Sequence, residues 1–399
     1  MIQAWRDIFA LPRSIWFLTL GMIVNRMGTM ALPYFSLILI KRMGLSADQA
    51  SIAMAAYGLT ALAAAILGGW LSDRVDPKRI VVWFYFATGA VLLAFPYIPG
   101  FWGMILFTLV WAFVAEIGRP PIFTLVSKAT PPHQQKQAFA LTRLGVNLGM
   151  SIGPALGGFL LDIDYRLIFW IDGITSILGG IVIARTVAGV APSGETRPAF
   201  LKSFDPWRDP LFRVFFLGLF LTALVYFQHT ATEGLFLNDT LGLSPSTFGM
   251  IFSINTLMII FLEVPLNSWT ASWDLRRSIG LGALLGAIGF GMLAFVTTVS
   301  GVIVSTVIWT VGEMMCFPAS NAMISRLAPP SKLGVYMGWY MFCFGLAQFV
   351  AGPAGVKLFF EMPQVWFWSA LGGIGLISTW ILWTLKLDKP TPRPQPTHL

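Results

Sequence analysis

Residues 101–124 read FWGMILFTLVWAFVAEIGRPPIFT, and this stretch indicates what kind of protein the chain is. Its twenty-four positions hold only two charged residues, Glu116 and Arg119. An α-helix of about 20 mostly apolar residues is long enough to cross the hydrocarbon core of a bilayer. The stretch therefore predicts a membrane-spanning helix that carries two charges toward one of its ends.

The rest of the chain has the same character. Of its 399 residues, 56% are hydrophobic and 11% are charged, and the mean hydropathy is +0.74. Soluble domains carry about 25% charged residues, so the composition excludes a water-soluble enzyme. Sixteen Trp and thirty-three Phe exclude a disordered chain. Cys316 and Cys343 both lie in apolar runs, which excludes a secreted scaffold held by disulfides.

Apolar runs of the same kind recur along the whole chain. Glycine and proline occur freely inside them, as bilayer helices tolerate. The sequence lacks the alternating runs of about ten residues that are typical of a membrane β-barrel. It therefore predicts an all-α membrane protein with twelve transmembrane helices. The twelve predicted spans are 15–40, 48–71, 79–97, 101–124, 137–161, 166–185, 213–237, 246–268, 278–298, 301–324, 334–359 and 364–386.

Lysine and arginine are divided unequally between the two sides of the predicted membrane. The side that holds both chain ends carries twenty of them, with Lys136 and Arg143 included, and the other side carries four. Arg26 and Arg119 fall inside spans. Positive residues accumulate in cytoplasmic loops, so both termini are predicted to be cytoplasmic. The net charge of +8 then reflects topology and attraction to lipid headgroups, and no nucleic-acid partner is expected.

The two halves of the chain repeat each other when the sequence is shifted by 198 residues. Gly44 then falls on Gly242, Asp76 on Asp274, and Trp111 on Trp309, with further matches in three separate loops. Parallel repeats of six helices are a transporter architecture, with the substrate site between the repeats. The predicted domains are an N-terminal bundle at 1–185, a cytoplasmic linker at 186–212, a C-terminal bundle at 213–386 and a cytoplasmic tail at 387–399.

The loop between the second and third spans reads GWLSDRVDPKR at 69–79. It resembles the cytoplasmic signature G-x-x-x-D-R-x-G-R-[RK] of the major facilitator superfamily, a family of membrane transporters. Gly69, Asp73 and Arg74 match the signature and Arg79 directly follows it, whereas Asp76 stands where glycine is usual and Pro77 where a basic residue is. The resemblance implies a gating role, in which Asp73 latches this loop to a helix of the other half. An alternative is that these charges only cap helices and set the topology.

The fifth span contains a second motif of that superfamily. It resembles the antiporter signature G-x-x-x-G-P-x-x-G-G, which is associated with drug/proton exchangers. The matching positions are Gly149, Gly153, Pro154, Gly157 and Gly158. Glycines at this spacing also give a helix a flat face for close packing against a neighbour, so the motif is equally explained by packing. The whole chain resembles bacterial drug-efflux members of the superfamily.

Charged groups inside a bilayer cost roughly 2.5–3.5 kcal/mol on insertion scales, and each one is therefore a functional candidate. In the superfamily, spans 1, 4, 7 and 10 line the central cavity, and six of the eight candidates in this chain fall on those spans. The eight are Arg26, Glu116, Arg119, Asp172, His229, Glu233, Glu263 and Glu313.

A carboxyl group in the membrane interior can take up and release a proton near neutral pH. The proton-coupling candidates are Glu313 and Glu116, followed by Glu263 and Glu233. Glu263 lies in a span that contacts the other half in the superfamily, so it is alternatively a gating carboxylate. Arg26 stays charged, and it either tunes a facing carboxylate or holds an anionic substrate.

The predicted substrate cavity has aromatic and basic walls, which suit amphipathic organic molecules. Its candidate residues are Arg26, Tyr34, Arg119, Tyr226, His229 and Phe317. Three alternatives remain open: the aromatic residues pack in a core, Arg119 pairs with Glu116 along its own helix, and His229 is structural.

No phosphate-binding G-x-x-x-x-G-K-[ST] and no Cys/His cluster occurs in the sequence, so no cofactor or metal is expected. The sequence predicts a transporter and not an enzyme, monomeric, in a bacterial inner membrane, with a small-molecule substrate, protons and the lipid bilayer as its partners. Proton-coupled efflux of small amphipathic compounds or drugs by antiport is favoured. The alternatives are a proton-coupled importer of an organic anion and a lipid flippase on the same fold.

The topology is tested by reporter fusions. Fusions at residues 199 and 395 are expected to report the cytoplasm, and a fusion near residue 100 the opposite side, because positive loops stay inside. A periplasmic signal from the linker fusion would contradict the arrangement of six spans plus six.

Overall fold

The structure, a computed structural model, describes residues 9–190, 200–243 and 245–385. Among these residues there are helices and connecting turns but no strand. Eleven helical segments in this part of the chain are long and apolar enough to cross a membrane. The remaining predicted span, the fifth, is a helix of 29 residues, Gln135–Ile163. The fold class predicted from the sequence is confirmed.

The first half consists of helices that follow the first six predicted spans. Within its described residues these are α1 (Arg13–Met27), α2 (Ala31–Lys41), α3 (Ala47–Ser72), α4 (Pro77–Ala94), α5 (Phe101–Ile117), α6 (Arg119–Ala129), α7 (Gln135–Ile163) and α8 (Tyr165–Thr186). A short 3-10 turn, Phe95–Tyr97, extends α4.

The second half follows the remaining spans. Its described helices are α9 (Pro210–Tyr226), α10 (Gln228–Ala231), α11 (Glu233–Leu235), α12 (Pro245–Trp269), α13 (Leu275–Met292), α14 (Val299–Leu327), α15 (Leu333–Glu361) and α16 (Gln364–Trp383). A π-helical turn, Phe236–Thr240, follows α11, and 3-10 turns follow α13 and precede α15.

The repeat of 198 residues is visible in local conformation. Gly44 and Gly242 both have positive φ angles, of 74° and 65°, in the turn that precedes α3 or α12. Such angles are strained for residues with a Cβ atom. Asp76 and Asp274 each cap the helix that follows them, with a carboxylate oxygen 2.9 Å from a backbone nitrogen two residues on. The cap explains why aspartate suits position 76, where the superfamily signature has glycine.

Three of the predicted spans are interrupted within the described residues, and one of them, the fourth, breaks at Gly118 between α5 and α6. The first span breaks between α1 and α2, where the carboxylate of Asp172 accepts the backbone N–H groups of Met30 and Ala31. The seventh span breaks at Phe227 and again at Thr232. The prediction of unbroken helices was wrong here, because hydropathy does not register backbone groups that bind side chains instead of helix partners.

Three apolar clusters form the core. One cluster lies in the first half around Phe35, Phe95 and Trp111, and a second lies in the second half around Phe290 and Trp309. The third cluster joins the two halves at the end that the charge distribution places in the cytoplasm, and it packs residues such as Phe139, Phe212, Met323 and Trp339. We refer to this as the predicted cytoplasmic end. There the two halves share one continuous core.

Part of the predicted linker packs against the second half. Within 200–208, a 3-10 turn brings the ring of Trp207 to 5.1 Å from that of Trp339, and Asp205 accepts the ammonium of Lys332 at 2.8 Å. Residues 191–199 and the predicted tail 387–399 lie outside the described residues. The domain boundaries themselves stay a prediction.

The halves meet along two seams. In one seam, α3 and α15 approach so closely that only glycine fits. A Cβ atom added to Gly69 would lie 2.7 Å from the Cα of Gly338, and one added to Gly338 would lie 2.7 Å from the carbonyl oxygen of Ala65. In the other seam, α7 of the first half lies against α12 and α14 of the second.

The close seam predicts a steric effect of substitution. Gly338→Leu is expected to separate α3 from α15, because the larger side chain overpacks the seam. An overpacking cost of about 1–3 kcal/mol lowers the ratio of closed to open molecules on the order of tenfold or more. Gly352→Leu on the same helix is the matched control, because no atom lies within 4 Å of its added Cβ. Distances between spin labels at positions 132 and 329 measure the effect. Equal distances in both variants would contradict the steric role.

Candidate functional site

The most highly charged contact between the halves centres on Arg143. This residue lies eight positions after the start of α7, or about 12 Å along the helix axis. Its guanidinium donates to Glu263 Oε1 of α12 at 2.8 Å and to Glu313 Oε1 of α14 in a short ion pair. One arginine of the first half is thus held by two carboxylates of the second half.

Neighbouring amides bind both acidic residues. The amide of Asn255 donates to Glu313 Oε2 at 2.8 Å, and the amide of Asn267 donates to the backbone carbonyl of Glu263 at 2.8 Å. The guanidinium of Arg143 also lies 5.1 Å from the ring centroid of Phe317, a cation–π arrangement. Arg143, Asn255, Glu263 and Glu313 are called the Arg143 cluster below.

The assignment of Arg143 to a cytoplasmic loop was wrong. Its side chain is only 17% exposed and its helix continues from Gln135 without interruption. The signal was present in the sequence, because position 143 lies inside the predicted span 137–161. The charge count placed Arg143 with the cytoplasmic loops although its position lies within a predicted helix. Glu313 forms its ion pair with Arg143 and not with Arg26, which lines a cavity within the first half.

A second group of charges lies inside the first half. Arg119 pairs with Glu116 at 2.9 Å along the fourth span, which is the local pairing left open from the sequence. The hydroxyl of Tyr57 donates to the other oxygen of Glu116 at 3.1 Å. Beside this pair, Arg26 of α1 lines a cavity of about 50 Å³, called the Arg26 cavity below.

The antiporter-like motif packs against the segment of α1 that carries Arg26. A Cβ atom added to Gly149 would lie 2.9 Å from the carbonyl oxygen of Ile23, and one added to Gly153 would lie 3.1 Å from that of Met27. One added to Gly157 would lie 2.7 Å from the ring of Tyr34. The motif therefore seats the first span on α7. Pro154 and Gly158 lie in α7, and their surroundings are outside what the structure describes.

The other predicted cavity residues lie mainly in the second half. Tyr226 is buried, with its hydroxyl donating to the carbonyl of Gly282 at 2.9 Å and its ring 5.2 Å from that of Phe317. His229 Nδ1 lies 2.7 Å from the carbonyl oxygen of Tyr226, and its ring stacks on Phe252. Glu233 is buried in α11. Because the helix breaks at Phe227, these residues do not form one continuous helical stripe.

Asp73 contacts the other half directly. Its carboxylate accepts the backbone N–H of Gly334 at 2.6 Å and that of Val335 at 2.9 Å, at the start of α15. The first N–H groups of a helix have no partner within the helix and carry partial positive charge. Arg74 lies over the ring of Trp70 at 4.2 Å, and Arg79 is exposed.

The shift of 198 residues places Gly334 on Lys136, and Lys136 makes the corresponding contact in the other seam. Its ammonium donates to the backbone carbonyl of Thr270, just beyond the end of α12, at 3.1 Å, and to the hydroxyl of Ser278 in α13 at 3.0 Å. The final carbonyls of a helix carry partial negative charge. The two end contacts thus use charges of opposite sign. The sequence indicated Lys136 only as a topology charge.

Burial perturbs both end contacts. Asp73 follows α3, and burial raises its pKa to about 7, although its two backbone donors and the charges of Lys128 and Lys332 act to lower it. Lys136 precedes the predicted span 137–161, and burial lowers the pKa of its ammonium to about 7. Each group is therefore most easily buried in its neutral form.

The sequence of this chain resembles those of one family of membrane proteins. A sequence profile described as the Major Facilitator Superfamily matches residues 18–237 and 215–399. The chain belongs to the major facilitator superfamily. It is 23% identical to the uncharacterized MFS-type transporter YqjV of Bacillus subtilis, over 94% of this chain and 93% of that protein. It is 23% identical to the multidrug resistance protein MdtH of Aeromonas salmonicida, over 92% of this chain and 94% of that one.

Solved structures of the superfamily share the fold. The human organic anion transporter MFSD10 aligns with a TM-score of 0.72 and 14% identity, over 93% of this chain and 99% of its own. A bacterial homologue of the iron transporter ferroportin, in an outward-facing state, aligns with a TM-score of 0.73 and 15% identity, over 94% and 98%. The chain is a multi-pass membrane transporter and not an enzyme, as the sequence predicted. The roles of single site residues stay predictions.

The two end contacts predict opposite responses to pH. An exposed aspartate has a pKa of about 3.9 and an exposed lysine one of about 10.4. If opening exposes both groups, the closed state binds more protons at Asp73 and fewer at Lys136 than the open state does. Between about pH 6 and about pH 8, Lys136→Gln is expected to show a closed population that falls with pH, and Asp73→Asn one that rises. The intact protein combines both responses.

The closed population is measured from distances between spin labels at positions 132 and 329. Asp73→Asn is also expected to lower it at the upper end of this range, because an amide nitrogen would face a backbone N–H donor. The same direction of pH response in both variants would contradict the opposite signs of the two contacts.

Proposed function

We propose that the protein is a proton-coupled exporter that exchanges small amphipathic organic compounds for protons by alternating access. The observation that carries the proposal is the ion pairing of Arg143, on the first half, with Glu263 and Glu313, on the second. In this fold the substrate site lies between the halves, and the halves rock against each other. A charge-dependent bond between them is therefore in a position to couple protonation to rocking.

The charges of the Arg143 cluster do not balance when both carboxylates are ionised. Arginine remains charged at all relevant pH values, which leaves one excess negative charge. Glu263 is fully buried, and its Oε2 atom has no hydrogen-bond partner among the described residues. An uncompensated buried charge is strongly unfavourable. One proton added to the cluster neutralises it.

The same proton changes how firmly the halves are joined. With both carboxylates ionised, Arg143 is bound from two helices of the opposite half. Closing buries the excess negative charge, and one bound proton removes it, so the closed end retains the proton, whereas opening lets water solvate both carboxylates. Proton uptake thus favours closing at the predicted cytoplasmic end, and opening releases the proton there.

Glu116 is less suited to this role. Its partners Arg119 and Tyr57 lie in the same half, so its protonation changes no contact between the halves. The export direction is supported by relatives named multidrug resistance protein and by the resemblance of Gly149–Gly158 to the antiporter signature. The aromatic groups around Phe317 support an amphipathic substrate.

Transport by Glu313→Gln tests the proposal. Purified variants are reconstituted into liposomes with an imposed pH gradient, and uptake of amphipathic dyes is followed together with the proton signal of a pH dye in the lumen. Glu313→Gln keeps the shape of the side chain and mimics its neutral form. It is expected to lose uphill transport, to on the order of a tenth or less, while downhill exchange continues. Glu263→Gln is expected to behave in the same way.

Glu361→Gln is the matched control, because that carboxylate is exposed and lies 3.8 Å from Lys357 on the same helix. Its uphill transport is expected to equal that of the unmodified protein. Undiminished uphill transport in both Glu313→Gln and Glu263→Gln would overturn the proposal.

A further inference from the structure

The Arg26 cavity contains a cation without a bonded counterion. The cavity lies between α1, α3, α4, the fourth span and α8. Its charged side chains are Arg26, Glu116, Arg119 and Asp172, and its polar wall includes Tyr57 and Tyr85.

Both carboxylates of the cavity are engaged elsewhere. Glu116 binds Arg119 at 2.9 Å and accepts the hydroxyl of Tyr57 at 3.1 Å. Asp172 accepts two backbone N–H groups at the start of α2, at 3.2 and 3.3 Å. The positive end of a helix stabilises such a carboxylate. Neither acid forms an ion pair with Arg26 among the described residues.

Arg26 itself is left unsatisfied. Its Nε is shielded from solvent and has no hydrogen-bond partner in the described part of the chain, and the Nε of Arg119 is in the same position. A buried guanidinium without partners is costly, and ionisable groups within a membrane mark substrate or ion pathways. The planar guanidinium presents its donors in a fork that matches a carboxylate. An oxyanion would supply such a partner.

The size of the cavity limits what enters it. One water molecule needs about 10–15 Å³ of cavity volume. A cavity of about 50 Å³ therefore accepts a carboxylate group but not a whole amphipathic molecule. Arg119 is 40% exposed, so the cavity has an open side. Leu32, Ala115 and Ile122 give the lining an apolar part next to the charges.

We propose that the Arg26 cavity binds the carboxylate of an amphipathic organic acid, with Arg26 as its main ligand and Arg119 at the entrance. The proposal rests on the proposed function in that the ligand is the transported compound, and it narrows the substrate class to compounds with one carboxylate on an apolar body. The body remains outside the cavity, in the space between the halves.

Calorimetric titration of the purified protein, without a pH gradient, tests this. The probes are naphthalene-2-carboxylate, its uncharged carboxamide and inorganic phosphate. The carboxylate is expected to bind about tenfold to a hundredfold more tightly than the carboxamide, the range that hydrogen bonds to charged groups contribute. Arg26→Gln is expected to lose this preference, and Arg26→Lys to retain part of it.

Arg185→Gln is the matched control, because it removes an exposed charge from α8 and is expected to leave binding unchanged. The thermal unfolding temperature of each variant shows whether the variant is folded. Without ligand, Arg26→Gln is expected to unfold at a higher temperature than the unmodified protein, because an unpaired buried charge has been removed. The carboxylate is expected to raise the unfolding temperature of the unmodified protein and not that of Arg26→Gln.

Equal binding of carboxylate and carboxamide, or unchanged binding by Arg26→Gln, would overturn the proposal. Tighter binding of phosphate than of the carboxylate would overturn it in favour of an inorganic oxyanion site. Glu313→Gln distinguishes the two proposals, since it is expected to bind the carboxylate normally. If Glu313→Gln keeps uphill transport, proton coupling at the Arg143 cluster fails while the anion site stands.

Discussion

Removing a guanidinium from water is costly unless it is bonded, and within the described residues Arg143 is bonded only across the boundary between the halves. Its two carboxylate partners come from different helices of the second half, so a single side chain of α7 links three helices. Two asparagines hold backbone and side-chain oxygens of the acidic residues in place. Losing Arg143 would leave two carboxylates buried without a counterion, which is more costly than the net gain from the intact group.

The surroundings of this ion pair are built to keep water out at one end. The apolar cluster shared by the halves covers the predicted cytoplasmic end, and the glycine contact between α3 and α15 closes the second seam. Asp73 and Lys136 then satisfy helix ends that would otherwise be buried without partners. Apolar packing and the bonds at the helix ends thus shield the Arg143 cluster from solvent at the predicted cytoplasmic end.

Much of the fold follows from the sequence because a bilayer imposes length and hydropathy on every span. The twelve spans, the repeat and the superfamily were all accessible in this way, and so was the local pair of Glu116 with Arg119. The Arg143 cluster was not, because its members are 120 and 170 residues apart and no periodicity links them. The break between α1 and α2 depends on Asp172, which lies 142 residues from Met30. Contacts between distant helices leave no pattern in the chain.

The repeat of 198 residues is not matched by a repeat of chemistry. The positions that correspond to Arg143, Glu263 and Glu313 in the opposite seam are Met341, Ala65 and Ala115. Ala65 instead supplies the backbone oxygen against which Gly338 packs. A duplicated ancestor with identical halves would have had two equivalent seams, whereas in this molecule ion pairs join the helices of one seam and glycine contacts join those of the other. A proton therefore acts between the helices themselves in the Arg143 seam, but only at a helix end, at Asp73, in the glycine seam.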